Sequence, residues 1–442
     1  MARALFGTDG VRGVAGEVLT AELALALGRA VTLAAGSEAP VRVLVIRDTR
    51  ESGEMLEAAL AAGVASAGGD VLLGGVLPTP AAPLLLARHG FDVAAVISAS
   101  HNPYRDNGIK FFGADGLKLT DATEARIEEI LDADGRAVRV AGVVGRVRTL
   151  HGTQEDYLRE LQLRFCDLDL TGVDVLLDCA HGATHRVAPE IFRRLGATTH
   201  VIAAAPDGQN INAGCGSTHV EALGAAVVAG GHTVGFAFDG DGDRMLAADR
   251  RGAVVDGDEL IALAALHLRA GDRLRGDGVV VTVMTNYGFH TAMRDAGIQV
   301  AVTDVGDRYV LQELRRRDWA LGGEQSGHII DMGFVPSGDG IASALLTLEA
   351  LAGADLADRH AMDKLPQKLV NVRVADRDAA IADTALVVAV SAEAQALEGR
   401  GRVLVRPSGT EQLVRVMVEA PTDDETAAVC ARLVALVPGA LG

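Results

Sequence analysis

At 442 residues the chain is too long for one ordinary core, and its formal net charge of −18 excludes the broad basic face that nucleic acid or an anionic membrane would need. Hydrophobic residues at 49% and 52 glycines exclude extensive disorder and allow several large cores. Cys166, Cys179, Cys215 and Cys430 lack CxxC spacing, the first residues do not read as a leader, and no apolar run reaches the roughly eighteen residues of a membrane span, so a soluble, cytoplasmic protein is expected.

Short β-branched runs alternate with Ala/Leu-rich amphipathic stretches, the pattern of βαβ units on a mainly parallel sheet. The runs form three sets of three, at residues 41–46, 70–73 and 93–97, then 173–177, 199–203 and 234–238, then 279–284, 299–303 and 319–321. In each set the first strand leads through a turn into a helix and the second strand follows that helix. The third strand runs straight into an unusual polar loop: 98–103 (SASHNP), 239–244 (DGDGDR) or 322–328 (GGEQSGH). Open α/β sheets place ligands at the carboxyl ends of parallel strands, so three copies of one unit would build one site where these loops meet. After Leu365-Pro366 the pattern changes. Strands at 370–374, 403–405 and 413–418, a helical stretch around 379–397 and a last helix from about Asp424 predict a smaller α+β domain that closes over a site. The expected fold class is α/β, with three similar α/β domains of mainly parallel mixed sheets (1–152, 153–252 and 253–366) followed by the C-terminal α+β domain (367–442).

Asp239, Asp241 and Asp243 are separated by single glycines and can turn their carboxylates toward one point, as a hard divalent cation such as Mg²⁺ requires. D-x-D-x-D also opens an EF-hand, but the sixth position of that loop, a glycine, is Arg244 here, and the twelfth, a glutamate, is Arg250. Behind an apolar strand, three such carboxylates are costly unless an ion neutralises them. Ser100, in a surface loop outside any G-x-S-x-G elbow, is the candidate to carry a phosphate beside that metal. Three aspartates, Mg²⁺ and a phosphoserine of about −2 leave a net charge near −3, so further cations are needed. Arg244, Lys110 and Arg12 can supply them. Lysine is scarce, with only Lys110, Lys118, Lys364 and Lys368, and two of these lie just downstream of Ser100.

Residues 6–13 (FGTDGVRG) form a glycine-rich loop. Residues 406–411 (RPSGTE) gather a guanidinium, two hydroxyls and an accessible backbone N–H from Arg406, Ser408, Gly409 and Thr410, a set suited to a phosphate dianion, with Arg415 in reach. No Walker A sequence occurs, so an NTP-binding P-loop is not expected. Glu324, Gln325, Ser326 and His328 offer a carboxylate, an amide, a hydroxyl and an imidazole, which suit sugar hydroxyls.

The loops at 98–103, 239–244, 323–328 and 406–411, in that order and spanning essentially the whole chain, resemble the four signatures of the α-D-phosphohexomutase superfamily. Residues 6–13, 98–112 and 210–219 (NINAGCGSTH), with Gln325, resemble its bacterial branch acting on glucosamine phosphates. The chain departs from that pattern at His181 and at Gln412, where proline is usual. The resemblance implies four domains around a central cleft. It also implies interconversion of glucosamine 6- and 1-phosphates through phosphorylated Ser100 and a sugar 1,6-bisphosphate, which also serves as activator, feeding UDP-N-acetylglucosamine and cell-wall synthesis. Mg²⁺ would be held by Ser100, Asp239, Asp241 and Asp243. Arg12, His101, Lys110 and His328 would be the electrostatic and acid/base groups. Arg244, Glu324, Ser326, Arg406, Ser408, Gly409, Thr410 and Arg415 would bind substrate. No nucleic-acid or membrane partner is expected, and a homodimer is compatible with the sequence. The rivals are superfamily members acting on glucose or mannose phosphates, a Mg²⁺-dependent sugar phosphatase in which water accepts the phosphoryl group, and a non-catalytic sugar-phosphate binder. Intact Ser100 and all three aspartates argue against the last.

Overall fold

A computed structural model describes residues 5–7, 9–36, 40–132, 144–408 and 411–439. The chain divides into two compact units, Met1–Val283 with Ala301–Arg359, and Met284–Val300 with His360–Gly442.

The first unit contains three mixed sheets. Strands β1 (Val11–Val14), β2 (Arg42–Arg47), β3 (Asp70–Val76), β4 (Val93–Ile97), β5 (Asp106–Gly113) and β6 (Val147–Thr149) form one, in the order β1-β5-β4-β2-β3-β6. The second sheet has β7 (Asp174–Asp178), β8 (Thr198–Ile202), β9 (Val234–Phe238), β10 (Met245–Asp249) and β11 (Val254–Val255) in the order β11-β10-β9-β7-β8. The third has β12 (Gly278–Thr282), β13 (Gln299–Thr303), β14 (Leu321–Gly323) and β15 (Ile329–Asp331) in the order β13-β12-β14-β15.

All three sheets share one arrangement. The first strand of each triplet is central, the second and third flank it, and the third folds back onto an antiparallel partner: β4 onto β5, β9 onto β10, β14 onto β15. The polar loops are therefore hairpin connections. Each is fixed at both ends to strands of its sheet, at the carboxyl end of the third strand. The partner strands escaped the sequence reading because they follow the loops without a helix between.

One strand lies two residues from its expected place. The pattern suggested 319–321, but β14 spans Leu321–Gly323, with Leu321 and Gly322 in parallel register with Val279 and Val280. A side chain at Gly322 would approach Val280 O to 2.7 Å and Val310 Cγ1 to 3.0 Å, so close packing removes the β-branched signature that marks a strand. The third loop shortens accordingly to 324–328.

Helices Ala21–Ala35 and Ser52–Ser66 cross where Gly28 and Gly63 meet, since a Cβ at either would stand 2.2 Å from Leu60 O or 2.0 Å from Leu25 O. Leu27, Val31, Leu56 and Leu60 from these helices pack on Val43 and Val45 of β2. Helix Gly257–Ala270 begins at a capping box, Asp256 with Glu259, which fixes the chain as it enters the third sheet.

In the second unit β16 (Gln367–Arg373), β17 (Arg402–Pro407) and β18 (Leu413–Glu419) form an antiparallel sheet in the order β16-β18-β17. The helix expected over 379–397 is two helices, Arg377–Ile381 and Thr384–Ala396, because Asp383 caps a new start by accepting from Leu386 N. Val414, Val416, Val418, Leu386, Val429 and Leu433 form its core. Among the described residues no helix is long and apolar enough to cross a membrane.

Candidate active site

Strand β4 is apolar and buried throughout and delivers Ser98, Ala99 and Ser100 at its carboxyl end. Ser100 is not on the surface, as its loop position suggested. It is 2% exposed, because the aspartate loop of the second sheet lies against it. Its backbone is left-handed, with φ of +53°, a region that costs a non-glycine residue free energy and persists where surrounding contacts hold it. The Ser100 hydroxyl donates to Asp239 Oδ2 at 2.5 Å and lies 3.2 Å from His101 Nδ1.

Phe238 pairs with Met245, so residues 239–244 close the β9–β10 hairpin and hold three buried carboxylates. One oxygen each from Asp239, Asp241 and Asp243 lies within 4.8 Å of the others. Burial, together with the charges of Asp243 and Asp241, pushes the Asp239 carboxyl well above the usual range. Burial acts the same way on Asp241. There the Lys110 ammonium at 2.9 Å and the Thr79 hydroxyl at 2.7 Å outweigh it and hold the carboxyl below its ordinary value. Asp241 Oδ1 and Asp243 Oδ1 are buried without a hydrogen-bond partner, although Arg244 Nε approaches the latter to 3.8 Å. Orphaned buried carboxylate oxygens are expensive. Converging hard oxygens of this kind fit a divalent cation, which would also cancel the repulsion felt by Asp239. A second ligand-bearing group, Asp174 with His200 and His232, includes the first residue of β7, at the strand end opposite this site. Its members satisfy one another, at 2.5 Å from His232 and 3.2 Å from His200.

Lys110 stands opposite Val96 in the β4–β5 ladder. That register brings its buried ammonium to Asp241 at 2.9 Å, Asp9 at 3.1 Å and Asp243 at 3.8 Å. Burial disfavours the charge, but the carboxylates overcome it and hold the lysine protonated. Arg12, on β1 opposite Gly108, pairs with Asp9. Arg12 Nε and Arg244 Nε are buried donors without hydrogen-bond acceptors. Burial, with Arg244 and Arg12 nearby, lowers the His101 pKa. For buried His328, desolvation disfavours the charged ring, but Asp243, Asp307 and Glu324 raise its pKa overall. Its Nε2 accepts from Gly338 N at 3.2 Å, and its Nδ1 lies 3.7 Å from Asp243 Oδ2.

Arg12, Ser100, His101, Arg244, Glu324 and His328 line one cavity of about 450 Å³. A larger groove, about 870 Å³ and bordered by Arg47 and Arg194, contains none of them. Glu324 Oε1 accepts from Gly306 N at 3.0 Å, and Ser326 Oγ is buried without a partner. Gln325 Nε2 donates to Asp256 Oδ2 at 3.1 Å, so this amide is engaged by the helix cap.

Sequence reasoning passed over Asp9, Lys118 and Asp307 as site residues. Lys118 bridges Asp9 Oδ1 and Asp307 Oδ2 at 2.5 Å each. The scarcity of lysine was a signal for Lys118 and the 6–13 loop one for Asp9, whereas Asp307 at a helix start offered none.

In the second unit Arg406 stands directly opposite Arg415 across β17 and β18, so the two share a face of the sheet. Like charges so placed repel unless an anion joins them. Arg415 Nε is buried without a hydrogen-bond partner. Ser408 Oγ accepts from Glu411 N at 3.3 Å, and Arg377, which sequence reasoning also missed, ties the loop by donating to Ser408 O and Glu411 O. Gly409 and Thr410 lie outside the described residues.

Four family descriptions match the chain: phosphoglucomutase/phosphomannomutase alpha/beta/alpha domain I at residues 3–137, domain II at 147–252, domain III at 256–370 and the C-terminal domain at 369–436. A phosphoglucosamine mutase of Moorella thermoacetica is 51% identical over 441 residues, covering 98% of this chain and 99% of the relative. One of Mycolicibacterium paratuberculosis is 50% identical over 442 residues, covering 99% of each. A phosphoglucomutase/phosphomannomutase family protein of Burkholderia thailandensis superimposes with a TM-score of 0.82 at 26% identity, covering 100% of this chain and 99% of that one.

Proposed function

The chain belongs to the phosphoglucomutase/phosphomannomutase family, and we propose that it interconverts glucosamine 6-phosphate and glucosamine 1-phosphate through a phosphoserine at Ser100 and a 1,6-bisphosphate intermediate. The carrying observation is the Ser100 hydroxyl held 2.5 Å from Asp239 within a buried three-carboxylate cluster. Relatives half identical over the full chain and named for glucosamine support the hexosamine substrate over glucose or mannose phosphates.

Mg²⁺ held by Asp239, Asp241, Asp243 and a phosphate oxygen on Ser100 would stabilise charge on the transferring group. In our reading the Ser100 Oγ–P bond breaks as a sugar hydroxyl oxygen bonds to phosphorus, and that hydroxyl's proton passes to a neighbouring base. Reversal at the other end of the bisphosphate returns a phosphoryl group to Ser100. Lys110 stays charged and fixes Asp241 and Asp9 around the serine. Arg12 and Arg244 each bring an unsatisfied buried Nε–H to the cavity wall and serve as donors to phosphate oxygens. His101 and His328 flank the cavity as the imidazoles available for proton movement, and Glu324 on the same wall accepts hydrogen bonds from sugar hydroxyls. Ser326, with a buried Oγ that has no partner and outside the cavity lining, is assigned to the sugar through its loop alone. Arg406, Ser408, Gly409, Thr410 and Arg415 hold the phosphate that is not reacting. The domain division 1–152, 153–252, 253–366 and 367–442, a cytoplasmic location, bisphosphate activation and supply of UDP-N-acetylglucosamine precursors complete the proposal. A phosphatase is disfavoured by the Arg406–Arg415 pair, a device for retaining an intermediate rather than releasing phosphate.

The test compares kcat/KM for the 6-phosphates of glucosamine, glucose and mannose, with intact-mass mapping of one phosphate to Ser100. Preference for glucose or mannose phosphate refutes the substrate. Net phosphate release without isomerisation refutes the mutase.

A further inference from the structure

The loop that presents Ser100 is gripped from behind by two residues with no assigned role. Arg50 is fully buried and paired through Nε with buried Asp48 at 2.9 Å. Its remaining donors face loop carbonyls. Nη2 donates to Ser100 O at 2.9 Å and Asn102 O at 2.8 Å, and Nη1 to Pro103 O at 2.5 Å and Asp106 O at 2.9 Å. Asp48 also accepts from Ser98 Oγ at 2.6 Å, and Ser98 Oγ in turn accepts from Ser100 N at 2.9 Å.

The second grip comes from the other sheet. Asn212 belongs to the 210–219 stretch, whose backbone is tied to the end of β7: Asn212 N donates to Ala180 O, while Ala180 N and Gly216 N donate to Asp178. Asn212 Nδ2 donates to Ser100 O at 2.9 Å and Asn102 O at 3.1 Å. Both neighbours are carbonyl acceptors, which settles the orientation of the amide. The carbonyls of Ser100 and Asn102 thus each accept two hydrogen bonds, one from Arg50 and one from Asn212, and both lone pairs are used. The aspartate loop packs on the same point, since a Cβ at Gly240 would stand 2.6 Å from Ser100 O and 2.8 Å from Asn212 Nδ2.

We propose that Asn212, acting with Arg50, is a positioning residue for the phosphoryl-carrying serine. The two hold the peptide units after Ser100 and Asn102, keep Ser100 in its left-handed conformation and so set its Oγ against the metal-binding carboxylates. The proposal rests on the phosphoserine reading of Ser100. A planar fork with donors at fixed angles suits Arg50's task, and a lysine ammonium, a point donor on a flexible stem, does not.

The test uses full-length Asn212→Ala and Arg50→Lys. Kinetics are measured in the mutase direction, with hydrogen exchange of the segment 98–103 as a readout independent of activity. We expect kcat to fall about tenfold to a hundredfold in each variant with KM within about twofold, as for a displaced reacting group. Exchange of the segment should accelerate about tenfold while the rest of the first unit keeps its protection. Unchanged kcat and exchange in Asn212→Ala overturns the proposal. So does a raised KM with unchanged exchange, which would make Asn212 a substrate contact. Should Arg50→Lys not fold, Asn212→Ala decides alone. Should the wild-type protein lack mutase activity, the function fails while the exchange measurement still decides the positioning role.

Discussion

The hydroxyl of Ser100 and the carboxylate of Asp239, 139 positions apart in the chain, meet at 2.5 Å because each lies in the loop at the carboxyl end of the third strand of its own sheet. Both follow the third strand of a triplet and lie in a hairpin that turns that strand back on itself. Duplicated topology thereby brings a phosphate-bearing hydroxyl and a metal-binding carboxylate to one point.

Ser100→Ala should lower turnover by at least about a thousandfold, or about 4 kcal/mol, since it removes the hydroxyl that is bonded to Asp239 and that would carry the phosphoryl group. The substitution removes one buried hydrogen bond, so a stability loss of about 1 kcal/mol is expected as well. Steady-state kinetics with thermal melts check both. Retention of a tenth of the rate refutes the nucleophile.

Asp241→Asn should weaken divalent-ion binding by about tenfold or more and depress turnover, because it removes one of three carboxylate charges. It also frees Lys110 from its 2.9 Å partner, so Lys110 should titrate at lower pH in the variant. Calorimetric Mg²⁺ titration of both proteins measures the first effect. Full wild-type activity in EDTA would exclude a catalytic metal altogether.

Asp339, which is not one of the three clustered carboxylates, supplies a pH test. It caps helix Gly340–Leu351, accepts from Tyr157 Oη at 2.9 and 3.0 Å, and burial pushes its carboxyl up to about 6. A folded-state value above the unfolded one means the native protein holds the proton more tightly. Stability is therefore lost as pH rises from about 4 to about 6, by at most about 3 kcal/mol. Asp339→Asn keeps the cap without the charge. Its stability relative to wild type should rise across that window and level off above it, as chemical denaturation at several pH values will record. Parallel curves for the two proteins would exclude the effect.

Arg406→Ala should raise KM, lower kcat and let sugar 1,6-bisphosphate escape before turnover completes, since remote phosphate binding both orients and retains the intermediate. Added bisphosphate should rescue the variant in part by rephosphorylating Ser100. Wild-type KM with no released intermediate would show that the Arg406–Arg415 pair is not the clamp.

What the chain's own pattern determined is local. Alternating β-branched and Ala/Leu-rich runs carried the triplets, and a short polar loop after each third strand marked Ser100, the aspartates and Glu324–His328, because these features depend on neighbours in sequence. What tertiary structure decided is everything requiring long-range register. The hairpin partners β5, β10 and β15 have no helix before them to announce them, and β14 hides its strand character behind Gly322 and Gly323. Lys110 reaches Asp241 only through the pairing of β4 with β5. Burial turned the loop serine into an enclosed one, and the fourfold grip of Arg50 on backbone carbonyls leaves no trace in residue spacing. Backbone acceptors are the same at every position, so only the fold determines which of them a buried guanidinium will find.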